Sequence, residues 1–153
     1  MKKKNLVLIL ICFMLVSCGY KPIFTDKNTN FKIETISTES KNKIFSKAKK
    51  NLIQRFQKPG ATRFFDLEID TSKKIKIASK DKKGNPLVFN MTVNMALSIF
   101  EKNSLISKKT FSQNFIYNNS LNKFSLKQYE KVVEDNLVNK ILEDVYMHLI
   151  SLD

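Results

Sequence analysis

The chain has 153 residues, of which 42% are hydrophobic, and its formal net charge is +13. This length has room for one domain, and an apolar content that includes 12 Phe excludes a disordered protein. A charge of this sign attracts anions such as nucleic acid or lipid phosphates. Nearly all of it is Lys, however, since only Arg55 and Arg63 are Arg. The same charge is therefore also what an A+T-rich genome would produce.

The N-terminus has the pattern of a bacterial lipoprotein signal peptide. Lys2–Lys4 precede an apolar run, Leu6–Val16, that is too short to cross a bilayer, because crossing takes about 20 apolar residues. Leu15–Cys18 then resembles a lipobox, in which a peptidase cuts just before a cysteine whose sulfur accepts diacylglycerol. We therefore expect residues 1–17 to be removed and acyl chains on Cys18 to anchor the protein to a membrane. Loss of three lysines lowers the formal charge from +13 to +10.

Cysteine usage agrees with this interpretation. Cys12 lies in the part that is removed, and Cys18 is consumed by lipid. The mature domain then has no thiol for a disulfide, a nucleophile or a metal site. The residue after Cys18 is Gly19 rather than Asp, which by the enterobacterial sorting rule favours the outer membrane, with the folded part in the periplasm.

The mature chain begins with a tether at 18–30, and we expect one domain over 31–153. Apolar and polar residues alternate at its start, which predicts a strand at 31–37. Apolar residues then recur every four positions, which predicts an amphipathic helix at 41–57. Ser40 is the expected N-cap of this helix.

Two long alternating segments predict an antiparallel hairpin. Every second residue is apolar along most of Phe65–Ile77 and throughout Leu87–Ile99, and a turn containing Gly and Pro separates them. If the turn centres on Lys82, Ile69 faces Met95. Every apolar side chain then falls on one face of the sheet, which is the condition for a stable register.

A second turn at 102–104 leads to a further strand that ends near Tyr117. A three-residue loop would place Met95 opposite Phe111 and Met91 opposite Phe115. The polar residues on the same face of this strand make its register less distinct than that of the first hairpin.

The last element is a long helix predicted at 126–151. Ser125 is its expected N-cap, and Gln128 completes a capping box. The order strand, helix, three strands, helix predicts an α+β two-layer sandwich. In it, two amphipathic helices cover one face of a four-stranded mixed sheet.

Few side chains could support catalysis, and we expect no enzyme activity, no cofactor and no metal site. His148 is the only histidine and lies among apolar residues of the last helix, a setting more typical of packing than of a general base. Asp66, Glu68 and Asp70 share one strand face opposite an apolar row. They are interpreted as a solvated surface rather than as paired carboxylates for hydrolysis.

The densest positive charge surrounds the predicted hairpin tip and is interrupted only by Asp81. We expect no nucleic-acid partner, because aromatic residues are not interleaved with the lysines and the domain is exported. The phosphates of an anionic lipid or of lipopolysaccharide could bind here, since Lys acts as a point charge on phosphate. The alternative is a solvated, lysine-rich hairpin end. The candidate residues are Lys73, Lys74, Lys76, Lys80, Lys82 and Lys83.

The start of the mature chain, Cys18–Phe24 (CGYKPIF), resembles that of the outer-membrane lipopolysaccharide-assembly lipoprotein family (LptE) in its alphaproteobacterial form. The order of elements and the length of the mature chain also match that family. The resemblance implies a lipoprotein on the periplasmic face of the outer membrane that plugs and helps assemble a large β-barrel (LptD-like). It also implies a role in inserting lipopolysaccharide at the cell surface.

The resemblance points to no lipopolysaccharide-binding residues, so the lysine assignment depends on charge alone. Two other functions remain open at this stage. One is a lipoprotein chaperone or pilotin of a different envelope complex. The other is a generic lipid-binding envelope protein, which a large apolar cavity between sheet and helices would favour.

Overall fold

The computed structural model describes residues 29–39, 41–57 and 59–153. The expected signal peptide, Cys18, most of the expected tether and Ser40 lie outside these ranges. The elements are β1 (Phe31–Ser37), α1 (Lys43–Phe56), β2 (Arg63–Lys80), β3 (Pro86–Glu101), β4 (Ser104–Asn118) and α2 (Lys123–Ile150).

The four strands form one mixed sheet in the order β1-β2-β3-β4. β1 runs parallel to β2, and the other two pairs are antiparallel. α1 connects the parallel pair and packs on β1 and β2, whereas α2 lies on β4 and β3 and also touches α1. The predicted α+β two-layer sandwich, with both helices on one face of the sheet, is confirmed.

The register between β2 and β3 differs from the prediction by two residues. Ile69 pairs with Leu97, and Met95 pairs with Thr71. Because side chains alternate with a period of two, this shift leaves every apolar residue on the face where it was expected. The hydrophobic pattern therefore cannot distinguish the two registers, and the turn decides between them.

That turn is organised by Asp81 rather than centred on Lys82. The Asp81 carboxylate accepts hydrogen bonds from the backbone N–H groups of Lys83 and Asn85, both at 2.8 Å, and from the Asn85 amide at 2.9 Å. Gly84 has a φ of +86°, in the left-handed region that glycine adopts without steric cost. These contacts close the turn one residue later than predicted.

The register between β3 and β4 is as predicted, with Met95 opposite Phe111 and Met91 opposite Phe115. The loop itself is shorter than expected. Only Lys102 and Asn103 lie outside the pairing, both with positive φ, as in the tight hairpin turns that match strand twist. Ile99 pairs with Ser107 and Phe100 pairs with Leu105, so Ile106 of β4 has no partner. This extra residue compensates for the shorter loop and leaves the register of the rest of the pair unchanged.

Both helices begin with an asparagine cap. The Oδ1 atom of Asn42 accepts from the backbone N–H of Phe45 at 2.9 Å. The Oδ1 atom of Asn122 accepts from the N–H groups of Phe124 and Ser125. The predicted cap at Ser125 is wrong, because Asn122 caps as well as a serine does and starts the helix earlier.

The core lies between the inner face of the sheet and the two helices. Asn42 also accepts from the Thr71 hydroxyl at 2.9 Å and donates to its carbonyl at 3.2 Å, so that the start of α1 is fixed to β2. The largest fully buried side chains are Phe31, Leu52, Phe56, Phe65, Leu67, Ile69, Met91, Met95, Leu97, Ile99, Ile141 and Leu149. They fill the centre of the layer between sheet and helices with protein atoms.

The helices do not cover the whole length of the sheet. The second half of β2, from Ser72 to Lys80, is exposed, and Ile75 and Ile77 are 41% and 46% accessible although they lie on the apolar face. The opposite face of the sheet carries neither helix. Within the described part of the chain, no helix is both long and apolar enough to span a membrane.

Candidate functional site

The six candidate lysines do not form one cluster. Lys73 lies on the helix side of the sheet, where its ammonium forms an ion pair with Glu134 of α2. This contact distinguishes Lys73 from the other five candidates, whose assignment to an anion site stays a prediction, as does its own. Because side chains alternate between the two faces of a strand, Lys74 and Lys76 lie on the face opposite to that of Lys73, which is the uncovered side. Lys80 ends β2, and the turn carries Lys82 and Lys83; all three are exposed.

The acid within this turn is engaged by the turn itself. Hydrogen bonds from the Asn85 side chain and backbone, together with those from Lys83 and Gly84, hold the pKa of the Asp81 carboxyl below its usual value. Asp81 therefore stays ionised and closes the turn. Among the described residues, Lys80, Lys82 and Lys83 have no ion-pair partner, so their charges face solvent.

Apolar side chains are exposed at the same end of the domain. Asn119 donates from its backbone to the Leu87 carbonyl and from its amide to the Pro86 carbonyl, both at 2.7 Å, so the β4–α2 loop lies beside the start of β3. Leu121 in this loop is fully exposed, and Phe124 in the first turn of α2 is 72% exposed. Sequence reasoning missed both residues. Their exposure could have been predicted from the sequence, because both residues precede the apolar stripe that begins at Leu126 and are not part of it.

An aromatic cluster fixes the start of α2 to the long hairpin. The Tyr117 ring lies 5.7 Å from Phe89 and 5.9 Å from Tyr129 between centroids. Its hydroxyl donates to Glu130 at 2.7 Å. Burial, with that hydrogen bond and the charge of Glu130, raises the pKa of Tyr117 well above its usual value. The tyrosine is therefore neutral at physiological pH and serves as a hydrogen-bond donor.

The chain enters the fold at the opposite end of the sheet. The backbone N–H of Asn30 donates to both carboxylate oxygens of Asp153, at 3.0 and 3.1 Å. Arg63 donates to the two oxygens of Glu101 at 2.8 and 2.9 Å and to the Leu152 carbonyl at 2.6 Å. This network joins the start of β1 and β2, the end of β3 and the chain terminus. The expected anchor therefore joins the domain at the end remote from the lysine turn.

His148 lies beside an open cleft of about 510 Å³ between β4 and the end of α2. Its Nε2 atom is 2.8 Å from the Ser107 hydroxyl, and its ring packs edge-on against Phe111. Burial, with the charge of Lys109, lowers the pKa of His148. The nearby carboxylate of Asp144 instead accepts from the Gln113 amide at 3.0 Å. Among the described residues, no three His, Cys, Asp or Glu side chains group closely enough to hold a metal ion.

The acidic row on β2 contacts β1 and the segment that follows it. The Thr35 hydroxyl donates to Asp66, and the Thr38 hydroxyl donates to Asp70 at 3.1 Å. The backbone N–H of Glu39 also donates to Asp70, at 3.2 Å. These carboxylates therefore satisfy donors of a neighbouring segment on the uncovered side of the sheet.

The fold is similar to that of several solved lipoproteins. A minor lipoprotein from Acinetobacter baumannii superposes with a TM-score of 0.60 at 11% identity, over 78% of this chain and 91% of that one. The rare lipoprotein B from Shewanella oneidensis gives a TM-score of 0.57 at 11% identity, over 79% and 98%. Lipoprotein B from Nitrosomonas europaea gives 0.54 at 12% identity, over 83% and 87%.

At these identities the likeness is one of fold. No protein-family model matches the chain, and no curated protein does. The three structural neighbours are themselves lipoproteins. The superposition covers between 87% and 98% of their solved chains.

Proposed function

We propose that this protein is an outer-membrane lipoprotein that acts as the plug and assembly partner of a lipopolysaccharide-exporting β-barrel and helps insert lipopolysaccharide at the cell surface. The lipobox at Leu15–Cys18 supports acylation and export. The fold shared with solved lipoproteins supports the same class of protein.

The observation that carries the barrel partner is the uncovered face of the sheet. Its central rows are polar across three strands, with Asn94 between Ser72 and Ser112 and Thr92 between Lys74 and Asn114. An antiparallel sheet can expose such a face to water. A polar face of this composition is also suited to contact the polar interior of a large barrel. A lipid-facing or obligate apolar interface would require the opposite composition.

The Asn90 side chain adds a specific feature to this face. Its Oδ1 atom is buried and has no hydrogen-bond partner among the described residues. Buried acceptors without partners are uncommon, because losing water without a replacement bond is unfavourable. Because this atom has no exposed surface, a donor from a partner over this face would reach it only if the neighbouring side chains moved apart.

The filled core disfavours one alternative. The centre of the layer between sheet and helices is occupied by fully buried side chains such as Ile69, Leu97 and Ile141. A lipid carrier that enclosed an acyl chain between these layers would require them to separate. Binding of lipopolysaccharide is therefore proposed at the surface, with its phosphates at Lys80, Lys82 and Lys83.

The barrel proposal can be tested by photo-crosslinking in the native membrane. A photoreactive amino acid at Asn94, on the uncovered face, should crosslink to one large outer-membrane protein that also co-purifies in equal amount. The same group at Asn139, on the exposed side of α2, is the matched control and should not. Crosslinking of Asn94 to a different envelope protein would instead favour the chaperone or pilotin function.

Lipopolysaccharide binding has its own test. Glutamate at Lys80, Lys82 and Lys83 should reduce binding without unfolding the domain, while glutamate at the exposed pair Lys49 and Lys50 on α1 should not. Binding to wild type should also weaken as salt shortens the Debye length below about 8 Å. Unchanged binding by the triple variant at low salt would remove these lysines from the site.

A further inference from the structure

The hairpin end of the domain carries exposed apolar side chains that the core does not use. Leu121 is 101% accessible and Phe124 is 72% accessible, whereas burial on α2 begins at Leu126. Leu87, 49% exposed, is at the same end of the sheet, since its carbonyl accepts a hydrogen bond from the backbone of Asn119 in the loop that carries Leu121. Single exposed apolar residues are ordinary, but a group of large ones at one end of a domain marks a contact surface.

The backbone holds these side chains in place. Asn122 caps α2 through the N–H groups of Phe124 and Ser125. The Asn119 side chain bonds the Pro86 carbonyl, and the Lys123 ammonium donates to Asn119 Oδ1 at 3.2 Å and to the Ser120 carbonyl at 3.3 Å. The apolar residues are therefore presented by a folded loop and a helix start.

Positive charge lies at the same end of the sheet. The turn at 81–85 closes β2 to β3 where Lys80 pairs with Pro86, next to the loop that carries Leu121. Lys82 and Lys83 project from this turn. No acid occupies the first turn of α2. The end thus combines apolar side chains with cations, and its acid Asp81 is enclosed by its own turn.

We propose that this end is a second membrane-contact surface, in which Leu121 and Phe124 enter the interface of an anionic phospholipid bilayer while Lys80, Lys82 and Lys83 contact lipid phosphates. Apolar burial and attraction to anionic lipids act together at such surfaces, each too weak alone for stable attachment. Lysine suits the position because its stem can lie along apolar atoms while the ammonium reaches the headgroups. The proposal does not depend on a barrel partner.

The expected acyl anchor and the proposed contact surface are at opposite ends of the sheet. β2 has 18 residues and is therefore about 60 Å long. The segment from Cys18 to Asn30 can extend at most about 45 Å from the other end of the sheet. The domain would either lie along the membrane that holds its acyl chains or join that membrane to a second one.

The chain contains no Trp, so Phe124→Trp provides a single reporter. The acylated full-length protein would be reconstituted in vesicles containing phosphatidylglycerol, with brominated acyl chains either in the same vesicles or in vesicles added afterwards. Quenching in the first arm shows a domain lying on its own membrane, and quenching in the second shows bridging. Either result supports the contact. Absence of quenching in both arms overturns it.

Variants in the Phe124→Trp background separate charge from apolar contact. Lys82→Gln with Lys83→Gln should raise the vesicle concentration at half-maximal quenching on the order of tenfold or more, given the attraction of each lysine to an anionic surface. Lys49→Gln with Lys50→Gln is the matched control and should leave it unchanged. Leu121→Ser should reduce quenching although every charge remains; equal quenching in this variant would also overturn the proposal. Binding of lipopolysaccharide with no quenching by phosphatidylglycerol vesicles would contradict this surface while leaving the proposed function intact.

Discussion

The two ends of the sheet are built from different interactions. At the end where β1 begins, Arg63 binds both oxygens of Glu101 and the Leu152 carbonyl, and Asp153 binds the backbone of Asn30. At the hairpin end, charges face solvent and Leu121 and Phe124 are exposed. At the first end, polar groups form hydrogen bonds with one another. At the second end, the lysine charges and the apolar side chains are exposed to solvent. In the function proposed above, this difference would separate attachment from recognition along one sheet.

The largest effect is expected from replacing the cysteine that is predicted to be acylated. Cys18→Ala removes the sulfur that accepts diacylglycerol, so we expect an unprocessed precursor and complete loss of the acylated form. Mass spectrometry of the mature N-terminus of the wild type should show acyl chains on Cys18. An unmodified mature N-terminus at another residue would contradict the lipoprotein assignment.

The unequal cover of β2 can be tested with the same substitution at two positions. Ile69 and Ile77 share one face, but Ile69 is fully buried and Ile77 is 46% exposed. Ile69→Ala should lower the free energy of unfolding by about 2–5 kcal/mol, as expected for truncation in a packed core. Ile77→Ala should cost well under half as much. Urea denaturation measures both, and equal losses would show that the hairpin end is covered in solution.

Ion pairs should also contribute unequally. Arg63 and Glu101 are held by paired hydrogen bonds, whereas Lys47 and Asp135 form a more exposed pair. Arg63→Ala should lower the denaturation midpoint less than Ile69→Ala but more than Lys47→Ala, because exposed pairs contribute little. The Glu101 pKa is lowered by Arg63, so this contribution should be lost as pH falls through that lowered value. A midpoint for Arg63→Ala equal to that of Lys47→Ala would argue against a role for this network.

A smaller effect is expected at His148. Its pKa is lowered in the folded state, so protonation favours unfolding. The associated stability is present above the unfolded pKa of about 6.5 and declines as pH falls below it. His148→Gln, which keeps a hydrogen-bonding group near Ser107, should flatten the dependence of the urea midpoint on pH between about 7 and 5. An unchanged slope would show that other groups cause it.

Apart from β1, where an irregularity after Ile33 leaves Thr35 exposed and buries Ile36, the sequence by itself predicted the apolar face of every strand. It also predicted the order of elements and the alignment of Met95 with Phe111. These follow from local periodicity, since a two-residue repeat determines which face a side chain takes. It also indicated the lipobox and the lysine-rich turn. It could not distinguish registers that differ by two residues, and it placed both helix caps incorrectly because several polar residues near each start can cap.

Tertiary structure decided which residues of these patterns are covered and which are free. Lys73 belongs to the lysine run in sequence, yet α2 brings Glu134 to it, and the two side chains form an ion pair. Leu121 and Phe124 are as apolar as core residues, but the loop and the first turn of α2 that carry them do not pack on the sheet, and they remain exposed. Burial depends on where a helix ends relative to a strand distant in sequence. No local pattern contains that information.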